Sequence, residues 1–196
     1  PEAPRAGPPP RHVGQARRVA RRAVPSDSPR GGTGFAGGVG WRGSEHALML
    51  GGGLWGNLAL SESVWLGLEG RYERGEIERQ TGTVVATLAK LGGGLTWRAW
   101  QGAPFRLDAR ADVAGCFVRL DGRPSQAGTL GHPIEGTALD LALELAPGIA
   151  LGRFSAGLTL TAGYLLGGPT GAVVGEDSTS LNGAWLGVGL RAGLEL

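Results

Sequence analysis

The chain has 196 residues, with 38 Gly, one Cys, one Met and a formal net charge of +2. No stretch approaches the roughly 18 uninterrupted apolar residues of a membrane helix, and glycine recurs inside every apolar segment, at a cost of about 1 kcal/mol each in a helix. The lone Cys116 excludes an internal disulfide framework, and the length favours one domain.

The charge is unevenly placed. Residues 1–31 hold seven Arg against Glu2 and Asp27, whereas the rest carries 12 basic and 15 acidic groups. The segment 1–32 reads as a basic, Pro/Arg-rich linker. Its first ten residues are expected to be extended, and "RHVGQARRVARRAV" could form a short basic helix. It is either a solvated linker or an anchor on an anionic partner. It has no aromatic side chain for base stacking, which argues against single-strand nucleic-acid binding, and no nucleic-acid partner is expected. The chain opens at Pro1 without an apolar leader. A cleaved leader and a longer parent chain both agree with that.

Eight segments from about residue 33 onward alternate with period two, the pattern of strands between two different solvents. In "GFAGGVGWR", Phe35, Val39 and Trp41 share a face. In "HALMLGGGLWGNLAL", Leu48, Leu50, Leu54, Leu58 and Leu60 lie opposite Gly51, Gly53 and Asn57. Leu66, Leu68 and Tyr72 oppose Trp65, Glu69, Arg71 and Glu73. Val85, Leu91, Leu95 and Trp97 oppose Lys90 and Arg98. "FRLDARADVAGCF" sets Phe105, Leu107, Val113 and Phe117 against Arg106, Asp108, Arg110 and Asp112. "TALDLALELAPGIAL" sets Leu139, Leu141, Leu143 and Leu145 against Asp140 and Glu144. Phe154, Leu158, Leu160 and Tyr164 come next. The last segment, "LNGAWLGVGLRAGLEL", sets leucines against Trp185, Arg191 and Glu195.

Eight is an even number, as a closed up-and-down bacterial barrel requires. Several segments reach the roughly 9–11 residues that a tilted membrane strand needs. The connections around "SES", "QGAP" and Gly152–Arg153 are short and define a lower rim. The connections at 74–82, 119–136 and 167–181 are long and polar and define an upper one; the first, near residues 43–45, is short. On the apolar face, Phe35, Trp97, Phe105 and Phe154 fall toward the lower rim, and Trp41, Tyr72, Phe117 and Tyr164 toward the upper. Two aromatic girdles around an aliphatic band mark two membrane interfaces.

The charged face then becomes the lumen. Glu69, Glu73, Asp108, Asp112, Asp140, Glu144 and Glu195 balance Arg42, Arg71, Lys90, Arg98, Arg106, Arg110 and Arg191. Eight strands leave an interior just wide enough for side chains. Charges there must pair, and a balanced set suits a closed lumen rather than a selective pore.

With these features, residues 33–196 resemble the small eight-stranded outer-membrane barrels of Gram-negative bacteria, of the OmpA membrane-domain and OmpX kind. The resemblance implies an all-β, eight-stranded antiparallel up-and-down transmembrane β-barrel behind an irregular basic N-terminal segment. It also implies a bacterial outer membrane, with lipid and lipopolysaccharide as surroundings, a periplasmic N-terminus and extracellular long loops. Terminal strands of such barrels typically end in an aromatic residue; this chain ends "GLEL" at Leu196.

The expected role is structural or surface-binding, without a catalytic group, cofactor or metal, in a monomer. Three His and one Cys have no metal-ligand spacing, and the glycine runs open no helix after a strand. Ser44 and His46 share a face at the upper rim, as in a lipid A deacylase-like enzyme with a base-activated hydroxyl, but Glu45 points to the other face and an interface histidine is the plainer reading. A soluble lipocalin-like carrier would reverse the two faces and leave the girdles unexplained.

Overall fold

The computed structural model describes residues 31–43, 45–80, 82–125, 132–171 and 179–196; the basic segment 1–30 and Ser44 lie outside them. The long strands are β1 (Gly31–Arg42), β2 (Ala47–Ala59), β3 (Val64–Arg79), β4 (Gly82–Gly102), β5 (Phe105–Pro124), β6 (Ile134–Leu151), β7 (Phe154–Leu166) and β10 (Gly183–Glu195). Two-residue strands β8 (Thr170–Gly171) and β9 (Thr179–Ser180) form a small hairpin in the last connection.

Each long strand pairs antiparallel with its chain neighbours, and β1 pairs with β10, so the sheet closes into a barrel. Closure removes the exposed edges that an open sheet would present. It also satisfies the backbone within the wall, as hydrocarbon surroundings demand. The eight-stranded architecture is the one that the alternation predicts.

The wall is apolar outside. Leu54, Leu91, Leu143 and Leu190 are 71, 73, 67 and 67% exposed. In water, a belt of this kind would be a large unshielded apolar patch.

Glycines let the wall curve and its side chains fit. Gly163 lies beneath the Trp185 indole, where a Cβ would come within 2.4 Å of the ring, and Gly193 stands in the same relation to Trp55. Gly152, in the turn between β6 and β7, adopts φ +65°, a conformation open to glycine at no steric cost.

Three features depart from plain alternation. The connection at 74–82 is largely strand and both ends of that at 119–136 are strand, since β3 and β4 pair out to Arg79 and Gly82, β5 runs to Pro124 and β6 starts at Ile134. A bulge between Arg98 and Trp100 shifts the phase of β4, so Trp100 joins Trp97 on the outer wall, 54% exposed. Val85 keeps the outer phase of Leu91 and Leu95 but is only 2% exposed. It stands between Glu76 and Asp121 in the ladder, among long polar side chains whose stems cover apolar surface.

Candidate functional site

Glu69, Arg71, Glu73, Lys90, Arg98, Arg106, Asp108, Arg110, Asp112, Asp140, Glu144, Arg191 and Glu195 all lie on the inner face, together with Arg42. They form three tiers of ion pairs. In the upper tier Glu73 meets Arg42 at 2.8 Å and Lys90 at 3.0 Å, and Lys90 reaches Asp140 at 2.6 Å. In the middle tier Arg110 meets Glu69 at 3.1 Å and Asp112 at 2.7 Å, and Arg191 meets Glu144 at 3.2 Å. Arg71 links the two tiers, at 3.4 Å from Glu73 and 4.0 Å from Glu69. In the lower tier Arg98 lies 3.4 Å from both Asp108 and Glu195, and Arg106 pairs with the same two acids.

Each tier has its tryptophan. The Arg42 guanidinium at 4.8 Å and the Lys90 ammonium at 4.5 Å both lie over the Trp185 ring, which donates its Nε1–H to Asp140 at 2.7 Å. Arg191 stacks on Trp55 at 3.9 Å and Arg98 on Trp65 at 4.9 Å. Cations over indole faces gain most where water is excluded. Charged rows alternating with Trp on the same face carry this signal in the sequence, but the pairings depend on register.

Above the upper tier the lining changes. Ala47, Met49, Ile77, Val84, Ala86, Leu88, Cys116, Val118, Leu120, Leu165 and Leu181 form one buried apolar cluster across the top of the lumen. Charged side chains line the interior only below this plug. The outer face of the same stretch is polar. Arg119 hydrogen-bonds Asp121 at 2.9 Å and Glu135 at 3.0 Å, holding the Asp121 carboxyl below its ordinary range.

Inside and outside thus exchange polarity where the strands pass Tyr72 and Phe117. Below that level the wall is apolar outside and charged inside; above it, charged outside and apolar inside. The first arrangement suits lipid and the second suits water.

The upper mouth is clasped. Glu45, in the β1–β2 turn, pairs with Arg79 at the end of β3 and accepts the Ser180 backbone N–H at 2.6 Å. Arg79 donates to the Thr179 hydroxyl at 3.2 Å. Asn182 and Gly168 exchange two hydrogen bonds across the base of the last connection. Single loop residues carry these links, and no spacing in the sequence joins them.

His46, with φ 52°, packs edge-on against Trp41 at 6.0 Å, and Glu45 is committed to the clasp. Among the described residues, no group of His, Cys, Asp and Glu could hold a metal ion.

The girdle side chains stand on the outer wall: Trp97, Phe105 and Phe154 toward the lower rim with Trp100, and Trp41, Tyr72, Phe117 and Tyr164 toward the upper. Phe35 stands four residues into β1, beside Leu54 and Ala192.

No family model matches the sequence, and no curated protein matches it. Solved structures do match. Neisserial surface protein A is similar with a TM-score of 0.55 and 11% identity, over 85% of this chain and 96% of that one. Ail, the attachment invasion locus protein of Yersinia pestis, has a TM-score of 0.48 and 10% identity, over 84% and 95%. The likeness to the Neisserial protein is one of fold, that of a small eight-stranded outer-membrane barrel.

Proposed function

We propose that this chain is a closed barrel of a bacterial outer membrane, non-enzymatic, whose role is structural or surface-binding through its upper end. The polarity exchange at Tyr72 and Phe117 carries the reading. It marks one level at which the surroundings of the wall change from hydrocarbon to water, and the clasped, strand-extended end is the one that protrudes.

The leucine belt would meet lipid, and the rim above Tyr72 would meet lipopolysaccharide headgroups. A single chain closes its own sheet, which favours a monomer. The basic segment 1–32, placed in the periplasm, suits an anionic partner there, and its lack of aromatic side chains leaves no platform for stacked bases.

Epitope insertion tests this on cells. A tag between residues 126 and 131 should bind antibody on intact cells, and a tag in the Gly152–Arg153 turn only after permeabilisation. The reverse order, or access to both tags on intact cells, would overturn the assignment.

A further inference from the structure

Water reaches the tiers unequally. Most side chains of the lower and middle tiers keep some exposure: Glu69 and Asp112 19%, Arg71 16%, Glu195 15%, and Arg98, Arg106 and Arg191 11–12%, with Arg110 the exception at 2%. In the upper tier Arg42, Glu73, Lys90 and Asp140 keep 1, 6, 6 and 4%. The plug residues above keep 8% at most, and Met49, Leu88, Val118 and Leu165 none.

Between the tiers lies a cavity of about 50 Å³, walled by Glu69, Arg71, Asp112, Ala114, Ala142 and Glu144 with Trp185 above. That volume accommodates more than one water. Below it, the indole N–H groups of Trp55 and Trp65, the Thr96 hydroxyl and the Asn57 carbonyl oxygen are buried without a partner among the described residues, and so, just beneath the plug, are the Nε and Nη1 of Arg42. Buried polar groups of this kind are ordinarily satisfied by internal water. The turns at the lower rim are short, and Ser61–Ser63 and Ala103–Pro104 are exposed.

We infer that the lumen is a one-ended water well. It fills from the lower rim through the cavity beside Lys90 and Asp140 to the Arg42 guanidinium, and the apolar plug, rather than the ion-pair network, seals it at the upper end. The plug offers water no hydrogen-bonding partner, whereas every tier below it does. Placing the sealed end at the cell exterior rests on the membrane reading. The well itself does not, because it can be read in detergent.

Thiol labelling tests it. The full chain with Cys116→Ala is refolded in detergent micelles, and folding is checked by heat-dependent gel migration. Ala114→Cys and, as a second cavity position, Ala142→Cys are compared with Val118→Cys in the plug, using 2-aminoethyl methanethiosulfonate. The cavity positions should react about 10-fold faster or more than the plug position, as solvent access dictates. Opening the clasp with Glu45→Ala should leave the cavity rates unchanged. Cavity thiols as slow as Val118→Cys would mean a dry interior. A Val118→Cys rate equal to theirs would mean that the plug is no seal. Acceleration of the cavity thiols by Glu45→Ala would mean entry from above. Each of these three results overturns the inference.

Discussion

The Lys90 ammonium and the Asp140 carboxylate face each other across the barrel at 2.6 Å, both buried, with the Trp185 indole N–H bound to the second oxygen of the same carboxylate. Three strands that are not mutual neighbours, β4, β6 and β10, are thereby tied through the lumen. Asp140→Ala strands Lys90 with Glu73 alone and leaves the indole N–H without its acceptor. Breaking a buried pair in this way costs about 3–5 kcal/mol. Urea unfolding of the refolded barrel should show that loss, and the double variant Lys90→Met/Asp140→Leu should recover most of it. A single variant within about 0.5 kcal/mol of wild type, the range of an ordinary surface change, would remove the pair from the account.

The polarity exchange can be tested along one strand. Leu95 and Thr83 lie on the same outer face of β4, below and above the level of Tyr72. Leu95→Lys should cost about 2–4 kcal/mol, the range for a cation on the lipid face near the bilayer midplane. Thr83→Lys should cost close to nothing, since that position stands between Glu78 and Arg123 in the ladder. Equal costs at the two positions would contradict a membrane boundary between them.

Gly163 should resist substitution. Trp185 is fixed by Arg42, Lys90 and Asp140, so it has little freedom to yield to a Cβ that would fall 2.4 Å from its ring. Gly163→Ala should destabilise by about 1–3 kcal/mol, the usual cost of overpacking, and should weaken the near-ultraviolet circular dichroism of the barrel. An unchanged unfolding midpoint and spectrum would show that Trp185 is loosely held.

The clasp should hold the upper mouth without holding the barrel. Glu45→Ala removes the carboxylate that Arg79 and the Ser180 N–H share. Tryptic cleavage after Arg79 should accelerate while the unfolding midpoint of the barrel stays within about 0.5 kcal/mol of wild type, as local opening is separable from global unfolding. Unchanged cleavage would mean that other contacts close the mouth.

Much of this was legible in the sequence because alternation reports two solvents residue by residue. The rows Arg106, Asp108, Arg110, Asp112 and Leu139, Leu141, Leu143, Leu145 define faces without any knowledge of partners. What alternation conceals is a change of phase or of solvent along one strand. "ERGEIERQTG" reads as a polar loop because Arg74, Glu76 and Glu78 face water while the inward positions Glu73, Gly75, Ile77 and Arg79 include one large apolar side chain, Ile77. The bulge between Arg98 and Trp100, which turns Trp100 outward, is a change of phase that no residue of β4 announces. The partners of Lys90 and Glu45 depend on strand register and loop placement, and neither leaves a mark on local sequence.

The central claim is that the leucine face meets lipid up to Tyr72 and Phe117 and that water begins above. Nitroxide labels at Leu143, Ala142 and Thr87, each placed singly on a Cys116→Ala background in lipid vesicles, test it most directly. The account predicts that the label at 143 is open to oxygen and closed to a polar nickel chelate. The label at 142, inside the barrel, should be shielded from oxygen, and the label at 87 should be open to the chelate. A label at 143 shielded from both reagents, or one at 87 with the same lipid signature as 143, would contradict it.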